Sequence, residues 1–74
     1  MEIKEFIEKL AEAIEVENSN DLSEKTEFKK LEEWSSISVM LIVAFFNEEF
    51  DKEISENEIR TAETIQDLYK IAMN

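Results

Sequence analysis

The chain has 74 residues, with 19 acidic and 8 basic side chains and no histidine, so its net charge at pH 7 is −11. A protein this acidic is repelled by phosphate backbones, which argues against nucleic-acid binding. Without cysteine or histidine, disulfides, acyl-transfer triads and most transition-metal sites cannot be assembled from its side chains. We therefore expect one small domain over residues 1–74 that is not an enzyme by itself.

Glycine and proline are both absent from the sequence. Turns that need a positive φ are therefore disfavoured, which argues against hairpin-rich β folds and favours helices joined by polar loops. The longest largely apolar run, residues 37–46, is too short to cross a bilayer, and the chain starts with an acidic amphipathic segment instead of a basic signal sequence. We expect a cytoplasmic monomer with no membrane span.

Residues 2–16 carry apolar side chains at steps of three and four, with glutamates between them. This spacing predicts an amphipathic helix. Glu2 and Glu5 fall in its first turn, where negative charge suits the positive end of the helix dipole. The apolar positions are Ile3, Phe6, Ile7, Leu10 and Ile14.

Residues 17–35 lose this periodicity, since a polar stretch is followed by isolated apolar residues. The pattern predicts a long ordered loop, and loops of that length often carry function. Four apolar side chains are expected to pin it to the core: Leu22, Phe28, Leu31 and Trp34.

The length of the next apolar segment and the acidic residues after it predict a second helix over residues 36–50. Its β-branched content leaves a buried strand as the alternative. The expected core stripe is Val39, Ile42, Val43, Phe46 and Phe50. The opposite side is also apolar, so it is either a docking surface or buried under the long loop. It consists of Ile37, Met40, Leu41 and Ala44.

Two capping boxes mark the last helices. Ser55 with Glu58 predicts a short third helix over 56–60, and Thr64 with Asp67 predicts a fourth over 65–73, which carries an apolar stripe. The predicted fold is all-α: a small four-helix bundle with a long first loop and a short third helix. Its expected core is Phe6, Ile7, Leu10, Val39, Val43, Phe46, Phe50, Ile65 and Leu68.

The many carboxylates invite a calcium interpretation, but a calcium-loop pattern started at Glu17 places Leu22 where glycine is needed and Phe28 where the bidentate acid is needed. We predict no metal site of that kind. The acids of residues 48–58 are expected to form a solvated face, with partner contacts or loose divalent-cation binding as alternatives.

Residues 34–37 read Trp-Ser-Ser-Ile at the start of the apolar helix. A serine there is ordinarily a helix cap. This segment resembles the attachment motif of acyl carrier proteins, small acidic four-helix proteins with an Asp-Ser-Leu motif, often preceded by Trp, at the start of the second helix. The Glu-Glu-Phe of residues 48–50 and the Glu-Ile of residues 53–54 lie in the family's register, and residues 26–31 resemble its approach loop. The resemblance covers nearly the whole chain.

The resemblance implies that Ser36 bears a 4′-phosphopantetheine arm, transferred from coenzyme A by a phosphopantetheinyl transferase. Acyl, aminoacyl or polyketide intermediates would be held on the arm as thioesters and presented to acyl-loading and synthase-type enzymes with basic patches. The phosphodiester would lie at a helix N-terminus, which favours anions. The expected partner contacts are Ile37, Met40, Leu41, Ala44, Glu48 and Glu49.

The chain differs from the family pattern at three positions. Ser35 replaces the aspartate before the attachment serine, and Ser38 and Leu41 replace acids that follow it. Those acids help modifying enzymes and synthases to recognise the carrier, so the differences favour a specialised pathway over general fatty-acid synthesis. The alternative is an unmodified carrier-like domain that acts only as a protein–protein interaction module.

Overall fold

The computed structural model describes all 74 residues and contains four α-helices and no strand. The all-α prediction is confirmed, and the alternative of a buried strand within residues 36–50 is wrong. Two short 3-10 turns, Ser19–Asp21 and Phe28–Lys30, lie in the connection between the first two helices. The helices are α1 (Ile3–Ala13), α2 (Ser38–Phe50), α3 (Glu56–Thr61) and α4 (Ile65–Met73).

Helix α1 ends three residues earlier than predicted, because Glu15 adopts a left-handed conformation with a φ of 63°. The Glu15 amide donates to the Glu12 carbonyl at 3.2 Å, and the Val16 amide donates to the Ala11 carbonyl at 2.8 Å. This pair of bonds is a Schellman motif, which usually has glycine at the left-handed position. The absence of glycine therefore did not prevent a positive-φ turn here.

Helix α2 also ends at a left-handed residue, Asp51, whose φ is 49°. Its amide donates to the Asn47 carbonyl at 3.1 Å, and the Lys52 amide donates to the Phe46 carbonyl at 3.3 Å. Aspartate tolerates this conformation better than most side chains do. Both long helices are thus terminated without glycine.

The long loop between α1 and α2 is pinned as predicted. Phe28 is fully buried, while Leu22, Leu31 and Trp34 are partly buried and pack against the core. Apolar side chains from the loop therefore contribute to the core beside those of the helices.

Backbone hydrogen bonds also attach the loop to the start of α4. The Ile65 amide donates to the Thr26 carbonyl at 3.0 Å, and the Gln66 amide donates to the Glu24 carbonyl at 2.9 Å. The first amides of a helix have no partner within the helix, so the loop carbonyls satisfy two of them. This attachment fixes the loop relative to α4.

Both predicted capping boxes form, at Ser55 with Glu58 and at Thr64 with Asp67. The Asp67 carboxylate accepts from the Glu63 amide at 3.0 Å and from the Thr64 amide at 3.1 Å. These bonds stabilise the charged carboxylate, so they lower the pKa of Asp67 below its ordinary value. The third helix extends one residue beyond the predicted 56–60.

Phe6 of α1 lies at the centre of the core. Its ring centroid is 5.7 Å from that of Phe45, 6.3 Å from Phe46, 5.9 Å from Phe50 and 5.3 Å from Tyr69. The pairs with Phe46 and Tyr69 are edge-to-face, an arrangement that aromatic rings prefer. The core is therefore organised by aromatic side chains from α1, α2 and α4.

The predicted core is confirmed at Phe6, Leu10, Phe46, Ile65 and Leu68, which are buried. The buried side of α2 differs from the predicted stripe. Phe45 packs on Phe6 and is buried, so the side of α2 that carries Phe45 faces the core. The buried residues of α2 are Ser38, Ile42, Phe45 and Phe46. The residues predicted as core but only partly buried at its edge are Ile7, Val39, Val43 and Phe50.

Candidate functional site

Two serines form the turn that opens α2. The Ser35 amide donates to Ser38 Oγ at 3.0 Å, and the Ser38 amide donates to the Ser35 carbonyl at 3.0 Å. Ser38 is only 1% exposed and is the one buried polar side chain of the chain. Ser35 and Ser38 therefore hold the turn together by bonding to each other, while no side chain caps the amides at the start of α2.

Ser36 lies within this turn, two residues before α2 begins, and not in its first turn as predicted. It is exposed, and its hydroxyl takes no part in the hydrogen bonds of the turn, which run between Ser35 and Ser38. A serine whose hydroxyl makes none of these bonds is available for chemistry at its oxygen.

The start of α2 suits an anion. The amides of Val39 and Met40 donate to no backbone carbonyl, so they add to the positive end of the helix dipole. No acidic residue lies in the first turn of α2, whereas every other α-helix has at least one there. The chain has 19 carboxylates, yet α2 is the one α-helix whose positive dipole end has no negative side chain in the first turn.

Trp34 holds the segment that leads to Ser36. Its ring packs edge-to-face on Phe28 with centroids 5.4 Å apart, and its amide donates to the Leu31 carbonyl at 3.0 Å. Because Phe28 is buried in the core, the approach to Ser36 is fixed from the loop side as well as from α2.

The predicted partner residues Ile37, Met40, Leu41 and Ala44 form an apolar strip along α2. Ile37 is 55% exposed, Met40 is 70% exposed, and Ala44 is exposed, whereas Leu41 packs partly against the core. The alternative that the long loop covers this side is therefore wrong for Ile37, Met40 and Ala44. The apolar strip begins directly after Ser36.

A groove of about 540 Å³ lies between α1 and α2 and adjoins the apolar strip, with which it shares Leu41 and Ala44. Lys9 Nζ lies 3.4 Å from Glu49 Oε2, and this ion pair links the two helices. The α1–α2 groove is lined by Lys9, Glu12 and Ala13 of α1 and by Leu41, Ala44, Phe45, Glu48 and Glu49 of α2.

The acids of residues 48–58 are exposed, as predicted for a solvated face. No three carboxylates come together in a group that could hold a metal ion. Glu56 instead pairs with Arg60 at 2.8 Å, and Glu58 belongs to a capping box. Glu48 and Glu49 lie on the α1–α2 groove together with Leu41 and Ala44, whereas Ile37 and Met40 lie outside its lining.

Sequence reasoning missed two features of this region. The bond between the Ser35 amide and Ser38 Oγ has a signal, since the two serines have the three-residue spacing that such turns use. The sequence signal for the α1 wall of the groove is weaker. Its residues, Lys9, Glu12 and Ala13, lie at i, i+3 and i+4 and therefore on one flank of α1.

The sequence matches none of the protein-family models, and comparison with curated proteins and with solved structures gives no match either. None of the four helices has the length and apolar character needed to cross a membrane.

Proposed function

We propose that this chain is a carrier protein that is modified with 4′-phosphopantetheine on Ser36 and presents the attached intermediate to other enzymes. The observation that carries the proposal is the hydroxyl of Ser36, which is exposed and takes no part in the bonds between Ser35 and Ser38, at the start of a helix without an acidic first turn. The resemblance of residues 34–37 to the attachment motif of acyl carrier proteins supports the same residue.

The residues around Ser36 fit a phosphodiester. The unpaired amides of Val39 and Met40 and the dipole of α2 favour a negative group there. The Ser35–Ser38 bond and the Trp34–Phe28 contact hold the turn without the Ser36 hydroxyl, so attachment there would leave both contacts in place. When bound, the arm supplies the thiol that this cysteine-free chain lacks and that holds acyl groups as thioesters.

The charge of the chain supports transient binding to several enzymes. With a net charge of −11, the protein attracts basic patches at long range and releases them readily, because such steering raises association rates more than affinity. The apolar strip next to Ser36 provides short-range contact. The protein itself catalyses no reaction in this proposal.

The test is the intact mass of the purified protein before and after incubation with coenzyme A and a broad-specificity phosphopantetheinyl transferase. Wild type and Ser35→Ala are expected to gain one phosphopantetheine, and Ser36→Ala none. Ser35→Ala is the matched control, because it removes the neighbouring hydroxyl and leaves that of Ser36 in place.

A gain in mass by Ser36→Ala would show that the arm is attached to another serine. No gain in wild type with several transferases would refute the carrier function. That result would favour the unmodified interaction module, which the replacement of the usual aspartate by Ser35 also favours.

A further inference from the structure

We infer that a groove within the long loop between α1 and α2 binds the 4′-phosphopantetheine arm while the protein is free of partner enzymes. This loop groove has a volume of about 360 Å³ and is lined by the start of the loop, within residues 16–22, and by its end, residues 30–33. The inference rests on the proposed function, because that function supplies the arm. It assigns a role to a loop that the attachment of Ser36 leaves unexplained.

The first argument is the position of the loop groove relative to Ser36. Its wall includes the consecutive residues Leu31, Glu32 and Glu33, and Ser36 is the third residue after Glu33. Since consecutive Cα atoms are about 3.8 Å apart, the Cα atoms of Glu33 and Ser36 are separated by at most about 11 Å. The arm beyond its phosphate is about as long as an extended peptide of four residues, about 14 Å. The arm can therefore enter the loop groove from Ser36.

The second argument is the chemistry of the lining. Apolar side chains that also pack in or against the core contribute part of it, namely Val16, Leu22 and Leu31. They suit the geminal dimethyl group of the arm. The other lining side chains offer both a donor, the Lys30 ammonium, and acceptors, the amide and carboxylate oxygens, and these suit the amide and hydroxyl groups of the arm. The polar lining residues are Asn18, Asp21, Lys30, Glu32 and Glu33.

The third argument is that both walls of the loop groove are fixed by hydrogen bonds. On one side, the Val16 amide donates to the Ala11 carbonyl at 2.8 Å, and the Asn20 amide donates to Asn18 Oδ1 at 3.1 Å. On the other side, the Trp34 amide donates to the Leu31 carbonyl at 3.0 Å. Small-molecule sites are usually largely pre-formed, so a fixed groove favours binding of the arm.

The other two grooves of the molecule fit the arm less well. The α1–α2 groove is crossed by the ion pair of Lys9 and Glu49 at 3.4 Å, and all of its polar lining residues are charged. The groove between α1 and the first 3-10 turn has a volume of about 170 Å³. Typical small-molecule sites have about 300–1,000 Å³, a range that includes the loop groove and excludes this smaller one. The loop groove is therefore the site that the geometry favours.

The experiment attaches the arm without a transferase, so that its outcome is separate from that of the carrier proposal. The chain has no cysteine, so Ser36→Cys introduces its only thiol. The thiolate displaces bromide from a pantothenamide that is bromoacetylated at the end of the pantoyl group where the phosphate is normally attached. The control reagent is a bromoacetylated oligo(ethylene glycol) of equal length, which lacks the geminal methyls and the pantothenamide N–H groups. Nuclear Overhauser effects between methyl groups of the arm and of the protein locate the arm, together with ¹⁵N-resolved amide shifts.

We expect Overhauser effects from the geminal methyls of the arm to Val16, Leu22 and Leu31, and amide shifts in the loop groove that the glycol control does not produce. In the same conjugate, Lys30→Met removes the donor of the lining. It should lower the ratio of groove-bound to free arm, measured from the amide shifts, about fivefold, the value for one hydrogen bond. Lys25→Met makes the same change of charge outside the lining and should leave this ratio unchanged.

Three results would overturn the inference. Equal amide shifts from the arm and from the glycol control would show that the loop groove does not recognise the arm. Overhauser effects to Leu41 and Ala44 would place the arm in the α1–α2 groove, and none to any protein methyl would place it in solvent. Circular dichroism of each variant verifies that it remains folded.

Wild type modified by a transferase should show the same contacts as the Ser36→Cys conjugate. If the transferase adds no arm and the conjugate still shows these contacts, the carrier function is refuted and the loop groove stands as a pantothenamide site. If the transferase adds the arm and neither protein shows the contacts, the carrier function stands and the loop groove is refuted.

Discussion

Glu15 offers a stringent test of how the fold is held without glycine. It is exposed and occupies the left-handed position of the Schellman motif that ends α1. We expect Glu15→Gly to stabilise the protein, because glycine reaches a positive φ without steric cost.

The magnitude follows from two opposing contributions. The left-handed conformation costs an ordinary residue about 1–2 kcal/mol, and glycine removes that cost. The unfolded chain gains freedom with glycine, which costs about 0.5–1 kcal/mol. The net gain is about 0.5–1 kcal/mol. Removing the Glu15 carboxylate from the negative end of the helix dipole adds about 0.3–1 kcal/mol, and Glu15→Gln measures this part alone.

The assay is urea unfolding followed by Trp34 fluorescence and by circular dichroism, with two-state extrapolation to water. Glu15→Gly should exceed Glu15→Gln by about 0.5–1 kcal/mol, which is several degrees in Tm for a chain of this size. Glu8→Gly, within α1, is the matched control and should lose about 1 kcal/mol. If Glu15→Gly were no more stable than Glu15→Gln, the strain assigned to Glu15 would be refuted.

Three further perturbations test the caps and the charge. In urea unfolding, Ser38→Ala should cost about 1 kcal/mol, because it removes the buried hydrogen bond to the Ser35 amide, and Ser36→Ala should change stability by less than about 0.5 kcal/mol. Equal losses would contradict the division of roles between the two serines. Because the pKa of Asp67 is lowered in the folded state, its carboxylate stabilises the fold above the unfolded-state pKa, near 4, and this contribution is lost as pH falls through the folded-state pKa. At pH 7, Asp67→Asn should therefore be about 0.3–1 kcal/mol less stable than Glu63→Gln, a variant with the same net charge. This difference in stability should disappear below about pH 4. A difference that does not depend on pH would contradict the role assigned to the Asp67 carboxylate. Raising NaCl from about 10 mM to about 0.5 M, or adding millimolar magnesium, should raise Tm by screening the acids of residues 48–58, and an unchanged Tm would contradict their mutual repulsion.

The parts of the fold that depend on local sequence could be predicted well. Helices α1 and α4 have one apolar stripe each, so the period of 3.6 residues specifies both the helix and its buried side. The boxes at Ser55 and Thr64 fix the starts of α3 and α4, because their hydrogen bonds join residues only three apart.

The orientation of α2 could not be predicted in this way. Its apolar residues surround the helix, so the sequence pattern does not decide which of them enter the core. The choice is made by contacts with distant residues, above all Phe45 and Phe46 with Phe6. The role of Ser38 in the turn could not be predicted for a similar reason, since three neighbouring serines offer the same chemistry and only the geometry of the turn distinguishes them.

The orientation of α2 also fixes the position of the apolar strip relative to Ser36. Its buried side, with Ile42 and Phe46 fully buried, holds the helix against the core. Ala44 therefore keeps a fixed position relative to the turn that carries Ser36, because that turn leads directly into α2. In the proposed function, an enzyme that contacts the apolar strip would thus lie at a defined position relative to the attachment serine. A core substitution that loosens α2 would impair modification and docking together, whereas Ser36→Ala would remove modification alone.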